Sequence, residues 1–529
     1  MSRIKNTTRN TTFAFVRYLL QIITQFAVRT AFIYTLSSHF LGLDSLFLNI
    51  IFVLSIAELG LGVAISYSMY KPAAEGDIEK LKELNALFRK VYCYIGLIVV
   101  GLGLIVTPFL HLLINGPVPD GINIYVVFFA FLLTTLISYL AAHKRVLLFV
   151  FQRNDIVSKL SALGMLVTRG LQIAILFLTY SYYWFVAIMP LGMLFECLFV
   201  FFVARRLYPE IRGKAKRIDD ATKKAIIKNV ASLGFHRLSN VLVISASTII
   251  ISVFFGLEVL GLSANYVLIL SSVLMMVDIF ISSVQASVGN MIASDTTENN
   301  YKMFKMLNLV FYMLVGFCAV AMFCLYQPFI SLWVGGAPVQ DIWISGSLIN
   351  SGWLLSVAFM LSIVLRFFFT QITGMVFTYR MCAGLMWNDR WVPIITVPLN
   401  VGLSILFIHL FGLPGVFLGT AIAFALIAIW VTPYIIHKHY FKKSVCGHYL
   451  QFVVFTFATA IAAGVSYFVC LLLPDGFWFL CIRGLVCCAI TGTIYLAVFG
   501  WTKEFKSILS YLKGMYKKRT LMSKKQEAS

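Results

Sequence analysis

Fourteen apolar runs dominate the sequence, near residues 13–36, 44–69, 92–115, 122–143, 160–179, 182–204, 229–255, 262–290, 306–326, 347–377, 392–411, 414–436, 449–473 and 476–500. Each is close to or above the roughly 20 residues that a helix needs to cross the hydrocarbon of a bilayer, and only helices and closed barrels satisfy their backbone groups there. Unbroken runs of this length exclude a barrel. With 60% hydrophobic and 12% charged residues, the chain has more apolar surface than one water-soluble core could hide. The expectation is an all-α polytopic membrane protein.

The basic residues test that division. Lys and Arg gather on the cytoplasmic side of a membrane protein, so correct spans make alternate loops basic. Basic segments are the N-terminus (Arg3, Lys5, Arg9), the loop with Lys71 to Lys90, the loop with Lys144 to Lys159, and the stretch Arg205 to Lys228. Lys302 and Lys305, Arg380 and Arg390, Lys438 to Lys443 and the tail from Lys503 to Lys525 complete the set. The loops between them contain neither Lys nor Arg. One missed or extra span would invert every later loop, so the pattern predicts fourteen crossings of the cell's inner membrane with both termini cytoplasmic. The net charge of +21 then sits beside anionic membrane lipid rather than nucleic acid. The N-terminus offers no small-residue cleavage site, so the first span is expected to be retained. The ten cysteines are scattered and read as small buried hydrophobes, with no metal site expected.

Along the chain, the polar stretch 205–228 reads as a cytoplasmic linker between an N-lobe (1–204) and a C-lobe (229–440), with residues 441–529 left as two further helices and a basic tail. The lobes repeat weakly. Phe15-Val16-Arg17 matches Phe235-His236-Arg237 and Glu58 matches Asp278 at a shift of 220, while Leu41-Gly42-Leu43 matches Leu260-Gly261-Leu262 at 219. Six helices per copy make the repeat parallel, related by an axis along the membrane normal and expected to enclose a cavity. Glu75 to Val91 reads as an amphipathic helix on the inner surface, with Ile78, Leu81, Leu84 and Phe88 on one side.

Charge inside the hydrocarbon is costly, so a retained one faces a partner or a wet cavity. Arg17, Gln21, Gln25 and Arg29 recur every fourth residue of the first span, a polar stripe roughly 18 Å long. Arg169 and Arg366 are deep in the fifth and tenth spans, and Arg237 lies in the seventh. These seven residues are the candidate substrate-binding set, with Arg17 and Arg237 near enough to the inner surface to snorkel instead. Glu58, Glu196 and Asp278 are candidate counterions or coupling groups. With Arg483, six arginines face three acids in the membrane interior, the Asp44 at a span end not being counted, a balance that favours an anionic cargo. Guanidinium forks grip phosphate oxygens, so a phosphate or pyrophosphate headgroup is the natural guest. No P-loop, catalytic carboxylate pair or nucleophile elbow occurs, so a transporter and not an enzyme is expected.

Several short motifs sharpen the expectation: Phe40-Leu41-Gly42-Leu43-Asp44, Glu58-Leu59-Gly60-Leu61-Gly62, Gly76-Asp77-Ile78-Glu79-Lys80-Leu81, Phe329 to Gly335, and Phe411 to Thr420. In order and spacing they resemble the polysaccharide flippases, the O-antigen and capsule exporters of the multidrug/oligosaccharidyl-lipid/polysaccharide superfamily. The resemblance implies two lobes that rock between inward-open and outward-open states. It also implies a polyprenyl-pyrophosphate-linked glycan as cargo, carried to the outer leaflet and passed to polysaccharide assembly machinery. No cofactor is expected; coupling to a proton, to Na+ or to the membrane potential stays open. Competing readings are a cation-coupled drug exporter of the same superfamily, a peptidoglycan lipid-precursor flippase and, from another class, an integral glycan ligase or polymerase. The last would be expected to carry a larger outer loop than Gln327 to Ser345.

Overall fold

A computed structural model describes residues 3–58, 61–116, 118–119, 121–151, 153–211, 220–334, 342–344, 347–349, 355–388 and 390–510. It is built of helices in the order α1 (Arg3–Thr35), α2 (Ser38–Leu54), α3 (Leu61–Glu75), α4 (Ile78–Val106), α5 (Ile124–Val150), α6 (Asn154–Thr179), α7 (Tyr182–Leu207) and α8 (Asp220–Ser294). There follow α9 (Thr297–Val334), α10 (Val357–Gln371), α11 (Gly374–Cys382), α12 (Trp391–Phe411), α13 (Gly415–Leu426), α14 (Ala428–Ile436), α15 (Cys446–Leu471) and α16 (Phe477–Phe499). Eleven helical segments among the described residues are long and apolar enough to cross a membrane. One of them, Val241–Ser294, has 54 residues and is interrupted at Gly256, which takes φ +80. At about 1.5 Å per residue that segment is more than twice the ~30 Å hydrocarbon thickness. Fourteen crossings and cytoplasmic termini stand on the charge pattern alone.

Local chemistry sets the boundaries. Gly76 takes φ +73 after α3, and Asp77 then caps α4 by accepting from the Lys80 N–H at 2.9 Å. Nothing breaks the chain between Val91 and Tyr92, so the stretch expected on the inner surface is the first part of the long α4; its Leu81, Leu84 and Phe88 are buried. The second predicted span is two helices, separated by a 3-10 turn at Ser55–Glu58 ahead of the glycine-rich 60–62. The tenth begins later than expected, at Val357. Ahead of it Ile342–Ile344 and Ser347–Ile349 pair as two short antiparallel strands.

The chain divides into two compact units, residues 1–269 with 337–353, and 270–336 with 354–529. The division falls within α8, and residues 212–219 of the expected linker lie outside the described residues. In the first unit α1 packs on α6, α5 on α4 and α7, and α6 on α7. Phe47 of α2 meets Phe128 and Phe131 of α5 at ring distances of 5.3 and 5.8 Å. In the second unit α13 packs on α10 and α12, and α15 and α16 pack on α9 and on each other. Tyr312 of α9 contacts the His448 ring at 3.3 Å, and Tyr495 bonds Thr459 at 2.8 Å.

Within the first unit, the start of α2 crosses α8 just beyond its break, and the crossing is reciprocal. A Cβ on Gly42 would fall on the Leu257 carbonyl, and one on Gly261 on that of Ser38. The shift of 219 read from the sequence takes Ser38 onto Leu257 and Gly42 onto Gly261, so each contact is the other's copy. His39 faces its own counterpart, Glu258, at 3.9 Å. Small residues permit this approach, the main route to helix association in lipid. At the break, Ser252 donates to the Leu113 carbonyl at 2.5 Å and the Asn115 N–H donates to the Ser252 carbonyl at 3.2 Å, so a loop satisfies backbone the helix leaves open.

Candidate functional site

The polar stripe of α1 lies on the side that meets the rest of the first unit. Arg17, Gln21, Gln25 and Arg29 are all half-buried. Toward the C-terminal end of α1, Arg29 comes within electrostatic reach of Arg169 on α6 and of Asp44 on α2. Asp44 attracts both guanidinium groups, which repel each other. Buried polar atoms without a hydrogen-bond partner collect there: Gln25 Oε1, Arg29 Nη1, Asp44 Oδ1 and the Tyr182 hydroxyl. Such atoms are expensive to bury, so their concentration on three neighbouring elements marks a polar site.

The surroundings hold these groups in place. Arg169 Nη1 donates to Gln172 Oε1 at 3.0 Å, and Gln172 Nε2 donates to the Phe185 carbonyl of α7 at 3.2 Å. The guanidinium is thereby fixed from behind by a fully buried amide. Tyr182 packs against Phe40, Phe32 and Phe185 with ring centroids 5.2, 5.9 and 6.1 Å away.

Other predicted site residues lie elsewhere. Arg17 is two turns and more down α1 from this cluster, its guanidinium 5.0 Å from the Tyr18 ring. The Arg237 side chain lies outside those described. Arg366, in the second unit, is half-buried with its guanidinium 5.1 Å from the Phe417 ring of α13 and Tyr326 of α9 within electrostatic reach. Arg483 caps the α15–α16 turn, bonding Asp475 at 3.1 Å and the Leu473 carbonyl at 2.6 Å. Arg380, assigned from sequence to a loop, is only 2% exposed on α11.

Among the described side chains, the three acids chosen from sequence are not paired with Arg17, Arg29, Arg169 or Arg366. Glu58 accepts from the Tyr92 hydroxyl at 3.2 Å, Glu196 pairs with Arg145 at 3.1 Å and accepts from Ser161 at 2.8 Å, and Asp278 is exposed. Asp44 is the carboxylate that sequence reasoning missed, because a span was begun on it and it was not counted as intramembrane. Cys324, Cys470 and Cys487, far apart in sequence, meet in the second unit with their sulfurs within 4.8 Å, packed among Val320 and Ala462.

The Arg145–Glu196 pair gives a check on the structural role of such acids. Arg145→Met should lower stability by about 3 kcal/mol, since it leaves the half-buried Glu196 without its partner. Adding Glu196→Gln should restore most of the loss, as read from melting of the detergent-purified singles and double.

No protein-family model matches the chain, and no curated protein matches it. Solved structures do. An inward-closed structure of the lipid II flippase MurJ superimposes with a TM-score of 0.64 at 14% identity, covering 93% of this chain and 98% of that one. An inward-facing multidrug resistance MATE transporter of the MOP superfamily gives 0.61 at 16%, covering 78% and 94%. A MOP transporter from Pyrococcus furiosus, described as having a binding pocket of reverse polarity, gives 0.52 at 14%, covering 83% and 97%. The fold is that of MOP-superfamily transporters, a multi-pass membrane architecture.

Proposed function

We propose that the chain is a flippase that carries a polyprenyl-pyrophosphate-linked glycan from the inner to the outer leaflet, for hand-over to surface polysaccharide assembly. The observation that carries this reading is the cluster of Arg29, Arg169 and Asp44: two fixed positive charges against one negative, with a buried guanidinium nitrogen of Arg29 unpartnered. A pyrophosphate supplies the missing acceptors and outweighs the repulsion between the two arginines. Arg169, steadied by Gln172, presents a set orientation, and Arg29 meets the anion from the α1 side. The Tyr182 hydroxyl is a further donor to a phosphate oxygen. Exposing this site alternately to the two sides of the membrane moves the headgroup, while the polyprenyl tail stays in lipid.

The lipid II flippase among the structural neighbours supports a lipid-linked cargo and favours a second reading, transport of the peptidoglycan precursor. Purified protein in vesicles separates the two. One arm contains a polyprenyl-pyrophosphate oligosaccharide labelled on its sugar, the other labelled lipid II, and an impermeant quencher reports the outward fraction. Imposed proton, Na+ and voltage gradients in the same vesicles test coupling. We expect the oligosaccharide to move and lipid II to stay. Movement of lipid II alone selects the second reading, and movement of neither sinks both.

A further inference from the structure

The first unit contains a second cationic site on other elements. A cavity of about 490 Å³ lies between α4, α5 and α7, at the end that carries the basic loops. Lys82 and Arg89 of α4, His143 and Lys144 of α5, and Arg205 of α7 line it, and none of the lining residues is acidic. Arg89 and Lys144 both lie within electrostatic reach of His143. Like charges gathered around one hollow repel, and an anion in the hollow reverses the sign of that energy.

Two further observations point to a bound group. His143 lines the cavity, is 6% exposed, and has a buried ring nitrogen, Nδ1, without a partner. Neither Lys82 nor Arg89 has a carboxylate partner among the described residues. Glu58 is taken by Tyr92, and Glu83 by Lys80 at 3.2 Å. The Arg205 guanidinium is held 4.6 Å from the Phe201 ring.

We propose that this cavity binds the phosphate headgroup of an anionic membrane lipid. Its volume suits a headgroup, and basic pockets at the cytoplasmic ends of membrane helices select anionic lipid. Leu140 lines the cavity yet is 56% exposed, and Val126, Phe129 and Leu133 continue an exposed apolar face along α5. That face gives acyl chains a track leading away from the phosphate. A free phosphate would use the same cationic groups but not the track.

The test uses the full chain in a neutral detergent and reads its melting temperature. Phosphatidylglycerol, phosphatidylcholine and inorganic phosphate are added separately to the wild type, to Lys82→Gln/Arg89→Gln and to Ala86→Phe. Ala86 is an exposed lining residue, and the larger side chain fills the cavity without changing its charge. Phosphatidylglycerol should raise the wild-type melting temperature by several degrees more than phosphatidylcholine does, and each variant should lose at least half of that difference. A shift with phosphatidylglycerol but not with inorganic phosphate identifies the lipid. Equal shifts with both overturn the lipid assignment and leave a soluble phosphate site. Variants that melt like the wild type without lipid and respond like it with lipid overturn the site altogether.

Discussion

Export should fall about 30-fold or more when either Arg29 or Arg169 is replaced by Ala, in protein that still inserts and folds. Truncating one partner of a buried charge-assisted contact costs about 2 to 5 kcal/mol, and each 1.4 kcal/mol is tenfold in affinity. Folding should survive because each substitution also removes the repulsion between the two guanidinium groups and leaves Asp44 one cationic neighbour. Lys at either position separates two mechanisms. A purely electrostatic role tolerates it, whereas a fork that grips two phosphate oxygens does not. Asp44→Asn has the opposite sign: it strips the one negative charge near the arginines and should tighten cargo binding while slowing release. Binding of labelled cargo and flipping in vesicles, measured side by side, read both effects. Unchanged export by both Ala variants would remove the physical ground for an anionic cargo.

The largest effect on stability is expected at the α2–α8 crossing. Gly42→Val places branched carbon against the Leu257 carbonyl, which is backbone and cannot rotate aside. Overpacking of this kind costs about 3 kcal/mol or more. Most of the protein should then aggregate during extraction, as seen by size-exclusion chromatography of a fluorescent fusion. Gly261→Val should behave alike, because it meets the Ser38 carbonyl in the same way. Gly101→Ala on α4, with no atom of a neighbouring element within 4 Å of the new carbon, is the control and should not lower stability. Equal behaviour of Gly42→Val and Gly101→Ala would show that the crossing does not hold the helices.

How much of this was legible in the sequence depends on the length scale of the signal. The helices were, since each is a local run of apolar residues closed by a local stop such as Gly76 or Gly256. The stripe on α1 was as well, because a four-residue period needs only one helix to define a face. Its counter-charge was not. Asp44 sits near the start of α2, and only the turn at Leu36–Ser37 folds it back toward Arg29 and across to Arg169. Gln172 and Tyr182 gain their places at the site only when α6 and α7 pack together. The interrupted second span was missed because hydropathy averages over the four-residue turn at Ser55–Glu58. The cavity that joins Lys82 to Arg205 spans more than 120 residues of sequence, beyond the reach of any periodicity.

The reciprocal crossing also says something about descent. When two identical chains meet about a two-fold axis, the residue on the axis faces its own copy, so two histidines or two glutamates would confront each other. Here position 39 and its counterpart 258 are His and Glu, an arrangement that no pair of identical chains can make. The unlike pair is therefore open only to two copies that have diverged from each other, while Gly42 and Gly261 keep the same close contact on both sides of the crossing. Two copies held in one chain can differ across their own axis, and an unequal pair at its centre is what that freedom permits.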